Sequence, residues 1–290
     1  MRHLLCIALL TFHTALAGAE VTLMHVHGLA YSSDGKRLMI PRHHGLAIYE
    51  NDKWSKAPGP EHDYMGFSAT ASHIYSSGHP APGSGLVNPF GLLRSKDGGK
   101  TWDKLALEGE SDFHVMATSW NTNVVYVWNA GPNSRMKREG LHYTANDGFS
   151  WSRAAAKGLD GNPFAVAVHP DNPKAVAVAS PAGVFESGDG GESFARISTV
   201  QGTAVFFDLD GQHLWYGSYD GEARLSRART KGAAAARVKL PPLTKDAVSF
   251  IAQNPARRNE YAIATYSRDV YLSKDAGRTW SAIARRGETK

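Results

Sequence analysis

Cysteine is nearly absent: Cys6 is the only one in 290 residues. A disulfide scaffold, a Cys-pair zinc site and a thiol nucleophile are thereby excluded beyond the first few positions. Charge of one sign is lacking too. The 32 Lys and Arg face 27 Asp and Glu, and no run of five like charges occurs, so nothing supports a nucleic-acid surface. No apolar stretch after residue 20 approaches the roughly 20 residues that a membrane helix needs, and no membrane anchor is expected. Helix-period patterns are missing, and the Gly83-Ser84-Gly85 string lacks the strand-to-helix setting of a phosphate-cradling loop. What remains is a chain with 42% hydrophobic residues, ample for a core.

The first residues read as an export signal. Arg2 and His3 give a short basic start, Leu4 to Leu16 an apolar stretch, and Ala15-Leu16-Ala17 or Ala17-Gly18-Ala19 a small-residue cleavage site. Residues 1–19 are expected to be removed, leaving 20–290 as a single domain in the periplasm or outside the cell.

Internal repetition is the strongest signal. Four octapeptides align without gaps: Ser95 to Trp102, Thr144 to Trp151, Ser187 to Phe194 and Ser273 to Trp280. All read Ser/Thr-x-Asp/Asn-x-Gly-x-Ser/Thr-aromatic. The chemistry is that of a hairpin turn, in which the acid or amide bonds nearby N–H groups, Gly takes positive φ and the hydroxyls tie the ends. The closing aromatics, Trp102, Trp151, Phe194 and Trp280, are expected to be buried between strands or blades. Box starts lie 49, 43 and 86 residues apart, so one degenerate repeat falls between the third and fourth. Thr203 to Asp246 fills that gap, and Val26 to Trp54 supplies a sixth repeat. Six repeats of about 45 residues, each with four short strands, predict an all-β, six-bladed β-propeller.

The octapeptides resemble the Asp-box, or BNR, motif of sialidase-like propellers. HVHGLAYSSDGKRL (25–38), DYMGFSAT (63–70), SSGHPAPGS (76–84), ALEGESDFHVM (106–116) and PNSRM (132–136) also resemble a bacterial exported branch of Asp-box proteins labelled glycosyl-hydrolase-like. The resemblance implies a sialidase-type propeller and names no substrate. Sialidases use three arginines, a Tyr activated by Glu and an Asp acid. Their first arginine sits in Phe/Tyr-Arg-Ile-Pro, whereas here Met39-Ile40-Pro41-Arg42 reverses the order. Arg42, Arg135 and Arg268, with Tyr64, Tyr219 or Tyr266, are the residues such an activity would have to use; Asp63, Asp112 and Glu110 are the carboxylates open to another glycosidase. A third class, the scaffold propellers that assist photosystem assembly, is resembled at the boxes alone.

Histidine is distributed unevenly. Nine (25, 27, 43, 44, 62, 73, 79, 114, 142) lie between residues 20 and 144, and only His169 and His213 follow; all five methionines after Met1 also precede residue 145. Met24, His25 and His27 fall on the expected first strand of repeat one, Met65 on that of repeat two, and His114 and Met116 on that of repeat three. His43-His44 and His79 fall where strand two ends. These places converge at one mouth of the channel. His27, His79 and His114, with His25, Met65 or Met116 close by, are therefore the candidate ligands of a transition metal. Copper is favoured by imidazole plus thioether, and zinc is the alternative. Asp63 and Asp112 are candidate second-layer carboxylates that fix the imidazole tautomers. The ligand expected is a metal ion, or else a small molecule or glycan. His62, His73, His142, His169 and His213 are read as surface or turn residues.

Overall fold

The computed structural model describes residues 21–230 and 234–289. The expected export signal lies outside them. Every regular element among the described residues is a strand, and the strands form six antiparallel sheets. Blade 1 holds β1 (Ala30–Tyr31), β2 (Leu38–Arg42), β3 (Gly45–Glu50) and β4 (Lys53–Lys56). Blade 2 holds β5 (Asp63–Ala69), β6 (Ile74–His79), β7 (Leu92–Ser95) and β8 (Asp103–Ala106). Blade 3 holds β9 (Met116–Thr118), β10 (Val125–Asn129), β11 (Gly140–Thr144) and β12 (Ser152–Arg153), and blade 4 holds β13 (Ala165–Val168) to β16 (Ala195–Ser198). Blade 5 runs from β17 (Gly202–Phe207) through β18 (His213–Tyr219) and β19 (Ala223–Arg229) to β20 (Ala236–Val238), the degenerate repeat. Blade 6 holds β21 (Val248–Gln253), β22 (Tyr261–Thr265), β23 (Val270–Ser273), β24 (Ser281–Arg285) and a fifth strand, β25 (Glu288–Thr289). The first strands β1, β5, β9, β13, β17 and β21 touch one another in that order and back to β1. The six-bladed propeller read from the repeats is the observed fold.

The ring closes through its termini. Thr22 pairs antiparallel with Glu288, the Leu23 N–H donates to the Gly287 carbonyl at 2.7 Å, and the Thr289 hydroxyl donates to the Val21 carbonyl at 2.6 Å.

Six apolar clusters fill the six gaps between blades. Leu29, Tyr31 and Leu38 meet Ala262, Val270 and Ile283 across the closing gap, for example, and Ala204 and Trp215 meet Val248, Ile251 and Tyr261 between blades 5 and 6. Each blade thus buries both faces, which is why its inner strands read as continuous apolar runs.

All four octapeptides fold into the same turn. In the first, the Gly99 N–H donates to Ser95 Oγ at 2.8 Å, and Asp97 accepts from the Thr101 N–H at 3.0 Å and from its hydroxyl at 2.7 Å. The two central residues take positive φ in every copy, including Asp147 (57°) and Ala276 (61°) where the first copy has glycine. The closing aromatics correct the expectation in part. Phe194 is buried, but Trp102, Trp151 and Trp280 are half-buried, because they stand at the start of the fourth, outermost strand of their blades. Trp102 stacks on Tyr64 at 4.8 Å between centroids.

The box acids predict an acid sensitivity. The hydroxyl and N–H of Ser193 hold Asp189 down at about 2, and those of Thr279 do the same for Asp275. A carboxyl group depressed in the folded state adds stability above its unfolded range near 4 and loses it as pH falls toward 2. Asn146 fills the same position in blade 3 and bonds Ser150 with no titrating group. The double variant D189N/D275N should therefore lose less stability than the parent between pH 5 and 2, read as the shift in urea midpoint at the two pH values.

Candidate functional site

The histidine-rich mouth is built from the entries of the first strands and the turns between second and third strands of blades 1 to 3. His25 and His27 lie in the extended segment before β1, not on a strand as expected. Pro41 on β2 gives its carbonyl to the His27 N–H at 3.2 Å but has no N–H to return, so the β1–β2 ladder ends at Ala30 and Met39. Gly28 lets this segment pass blade 2, since a Cβ there would lie 2.7 Å from Phe67 Cβ. His43 and His44 fill the turn between β2 and β3. Asp63 opens β5 directly opposite His79, the last residue of β6. Asp112 and His114 precede β9 by a few residues.

The side chains fall into two adjoining groups. In the first, ligand nitrogens of His25, His27 and His43 lie within 4.8 Å of one another, and the ring centroids are 4.2 to 5.6 Å apart. Asp63 flanks them, with Oδ2 accepting from His43 Nδ1 at 2.8 Å and Oδ1 only 3.7 Å from His27 Nε2. In the second group, Asp112 Oδ2 accepts from His79 Nε2 at 2.9 Å and from His114 Nε2 at 2.5 Å, and His79 Nδ1 meets Asn88 Oδ1 at 2.7 Å. His27 Nε2, Asp63 Oδ1 and Asp112 Oδ1 are all shut off from solvent without a hydrogen-bond partner.

Electrostatics separate the groups. Burial, reinforced by the neighbouring imidazoles and opposed by Asp63, lowers His27 to about 4, so its ring is neutral at pH 7 with a lone pair free. His114 moves the other way, raised by its hydrogen bond to Asp112. Asp112 is pushed up by burial, but His114 and His79 together hold it below the ordinary carboxylate range.

The three-blade set His27, His79 and His114 is thus divided: His79 and His114 share Asp112, while His27 belongs with His25 and His43. His43, left out of the expected ligand set, is central to the first group. Its signal was its position, the same second-to-third-strand corner that His79 occupies in blade 2. Asp63 and Asp112 both accept imidazole N–H groups. Met116 lines the cavity of about 140 Å³ inside the channel together with His27 and His114, yet it is also packed among Tyr75, Leu92 and Phe113. Met65 is buried on β5 and does not line that cavity.

Other histidines hold structure. His62 Nδ1 accepts from the Ala81 N–H, and His169 Nε2 contacts the Gly211 carbonyl. His142 corrects the reading of a surface residue: it sits on β11, 3% exposed, with Nδ1 on the Gly140 carbonyl, because that strand is covered on both faces. Asp208, Asp210 and His213 on blade 5 also show ligand-like spacing. There, however, Asp208 already accepts from Trp215 Nε1, Tyr261 OH and Arg227 Nη2 at 2.6, 2.8 and 2.7 Å, so the cation of that cluster is arginine.

No protein-family model matches the chain, and no curated protein matches it either. Solved structures show the fold. A GH74 enzyme of Niastella koreensis aligns at 15% identity and a TM-score of 0.63, over 92% of this chain and 46% of that one. An extracellular domain from B. thetaiotaomicron named for a hybrid two-component system aligns at 14% and 0.56, over 92% and 34%, and an ancestral GH74 enzyme at 14% and 0.52, over 93% and 40%. The chain therefore spans less than half the length of these neighbours. It is a β-propeller of the architecture found in GH74 glycoside hydrolases and in that extracellular domain.

The residues named for a sialidase activity have separate tasks. Arg42 is 5% exposed at the end of β2, Arg135 donates to the Phe149 carbonyl and Arg268 to the Met24 carbonyl. Tyr64 is fully buried, Tyr219 is half-buried at the end of β18, and Tyr266 is exposed. Glu110 caps the Ser134 backbone in an exposed loop.

Proposed function

We propose that this propeller is an exported metal-binding protein that holds a divalent transition ion between His25, His27, His43 and Asp63. The observation that carries this is the 3.7 Å gap between His27 Nε2 and Asp63 Oδ1, two buried polar atoms with no partner. Buried polar atoms are nearly always paired. Two donors that each sit about 2.0–2.2 Å from a shared ion are about 3–4 Å apart, so the gap has the size that an ion fills. Three imidazoles and a carboxylate suit Cu(II) first, by its place at the top of the affinity order, and Zn(II) second. The preference for Cu(I) weakens, because the thioethers of Met65 and Met116 serve packing. Holding or delivering the ion outside the cytoplasm is the role we assign to the site. The export signal read from residues 1–19 carries the location.

The test is metal analysis of the purified chain, followed by titration of the stripped protein with Cu(II) and Zn(II). His27→Ala should abolish binding at the first group. Asp63→Asn keeps the shape but removes the charge, and is expected to weaken affinity by about 10- to 100-fold. Wild-type protein that takes up neither ion, or H27A protein that binds as tightly as wild type, would overturn the reading.

A further inference from the structure

We propose that the mouth holds a second transition ion, bound by His79, His114 and Asp112 beside the first. The inference rests on the metal reading above and extends it from one ion to a pair. Donor count is the first argument. Five imidazoles and two carboxylates crowd this mouth, and a copper or zinc ion takes about four or five donors. One ion leaves most of the second group unused.

The second argument is the repetition of the same arrangement. In each group one carboxylate oxygen accepts from imidazole, Asp63 Oδ2 from His43 and Asp112 Oδ2 from His79 and His114. In each, the other oxygen, Oδ1, is buried and unpartnered. An ion that replaces the shared imidazole protons of the second group would bind Asp112 Oδ2 in their place, and a carboxylate that grips it through both oxygens would give Oδ1 the partner it lacks.

Backbone geometry sets the two ions side by side. Asp63 and His79 are directly paired across β5 and β6, and side chains so paired stand about 4.5–5.5 Å apart at Cβ. Asp63 belongs to the first group and His79 to the second, so the two groups share that strand end as a common wall. His27 of the first group and His114 of the second line the same cavity.

Stoichiometry decides the matter. The full chain, stripped with chelator, is titrated with Zn(II) against a chromophoric competitor and with Cu(II) followed by electron paramagnetic resonance. Wild type should bind two equivalents, with a spin-coupled loss of Cu(II) signal intensity as the second enters. H79A/H114A and H25A/H43A should each bind one, and the quadruple variant none. The Gln variants H79Q/H114Q, with melting curves for every protein, separate lost ligands from lost fold. One equivalent in wild type that only H25A/H43A removes would overturn the second site while leaving the first reading intact. One equivalent removed equally by either pair would overturn the second site and replace the first with a single ion shared by both groups. No binding at all in wild type would overturn both.

Discussion

Asp208→Ala is expected to cost about 3–5 kcal/mol of folding stability, the range for removing one partner of a buried ion pair. Asp208 is 1% exposed and receives three donors: Trp215 Nε1 and Tyr261 OH on Oδ1, and Arg227 Nη2 on Oδ2. Removing the carboxylate leaves a fully buried indole N–H and a buried phenol without their acceptor, and the Arg227 guanidinium with His213 Nδ1 alone, in the gap where Trp215 and Tyr261 pack at 35° with 4.6 Å between centroids. Arg227 is partly open to water and recovers some hydration, so the loss falls chiefly on the two aromatic donors. Asp208→Asn keeps an acceptor for them and should cost less than half as much. Chemical denaturation of the three proteins gives both differences. Equal stability of D208A and wild type would show that the network contributes nothing.

Gly66→Ala is the second large effect, and it acts on the site as well as on the fold. Gly66 sits at the irregularity of β5, between Met65 and Ser68, with φ of 49°. A Cβ there would lie 1.9 Å from the Phe113 carbonyl oxygen, a backbone atom of blade 3 that no side-chain rotation can move. Left-handed strain and forced separation of the blades together are expected to cost about 3–5 kcal/mol. Gly83→Ala is the control: φ is 76° but nothing lies within 4 Å, so a loss near 1 kcal/mol is expected. Because Phe113 stands between Asp112 and His114, whatever G66A protein folds should also bind metal less tightly than G83A protein. Melting temperature and Zn(II) affinity of the two variants check both halves of the expectation.

The architecture was legible because the boxes are local chemistry. A hydroxyl, an acid or amide and a glycine at fixed offsets dictate one turn whatever surrounds them, and their spacing then counts the blades. Even the degenerate repeat, without a box, kept its strand alternation from Gly202 to Val238. The site was legible only as a neighbourhood. Position within a repeat placed His25, His27, His79 and His114 near one mouth, but their partners are fixed by cross-strand register and by the angle between blades. Neither is written in spacing. The pairing of Asp63 with His79 across β5 and β6 could be found only once that register was known. Of the doublet His43-His44, the sequence offered no means of telling which ring meets Asp63. His142 shows the opposite failure: the sequence reading makes it a surface or turn residue, whereas it lies within β11 and is buried.

The closing seam has a consequence for the order of events in the cell. Residues 21–23 are held by partners at 287–289, and His25 and His27 hang from that seam a few residues further on. During synthesis, the blades that follow can begin to condense one after another, each on the face of the last. The segment carrying the first two histidines touches Pro41 of its own blade, but its anchor at residues 21–23 forms only after Gly287 has been made and threaded into place. Until then the segment that carries two companions of His43 and Asp63 is held at one end only. On the metal reading proposed above, ring closure would set the moment of loading: before the seam forms the cage is incomplete, and afterwards it is finished.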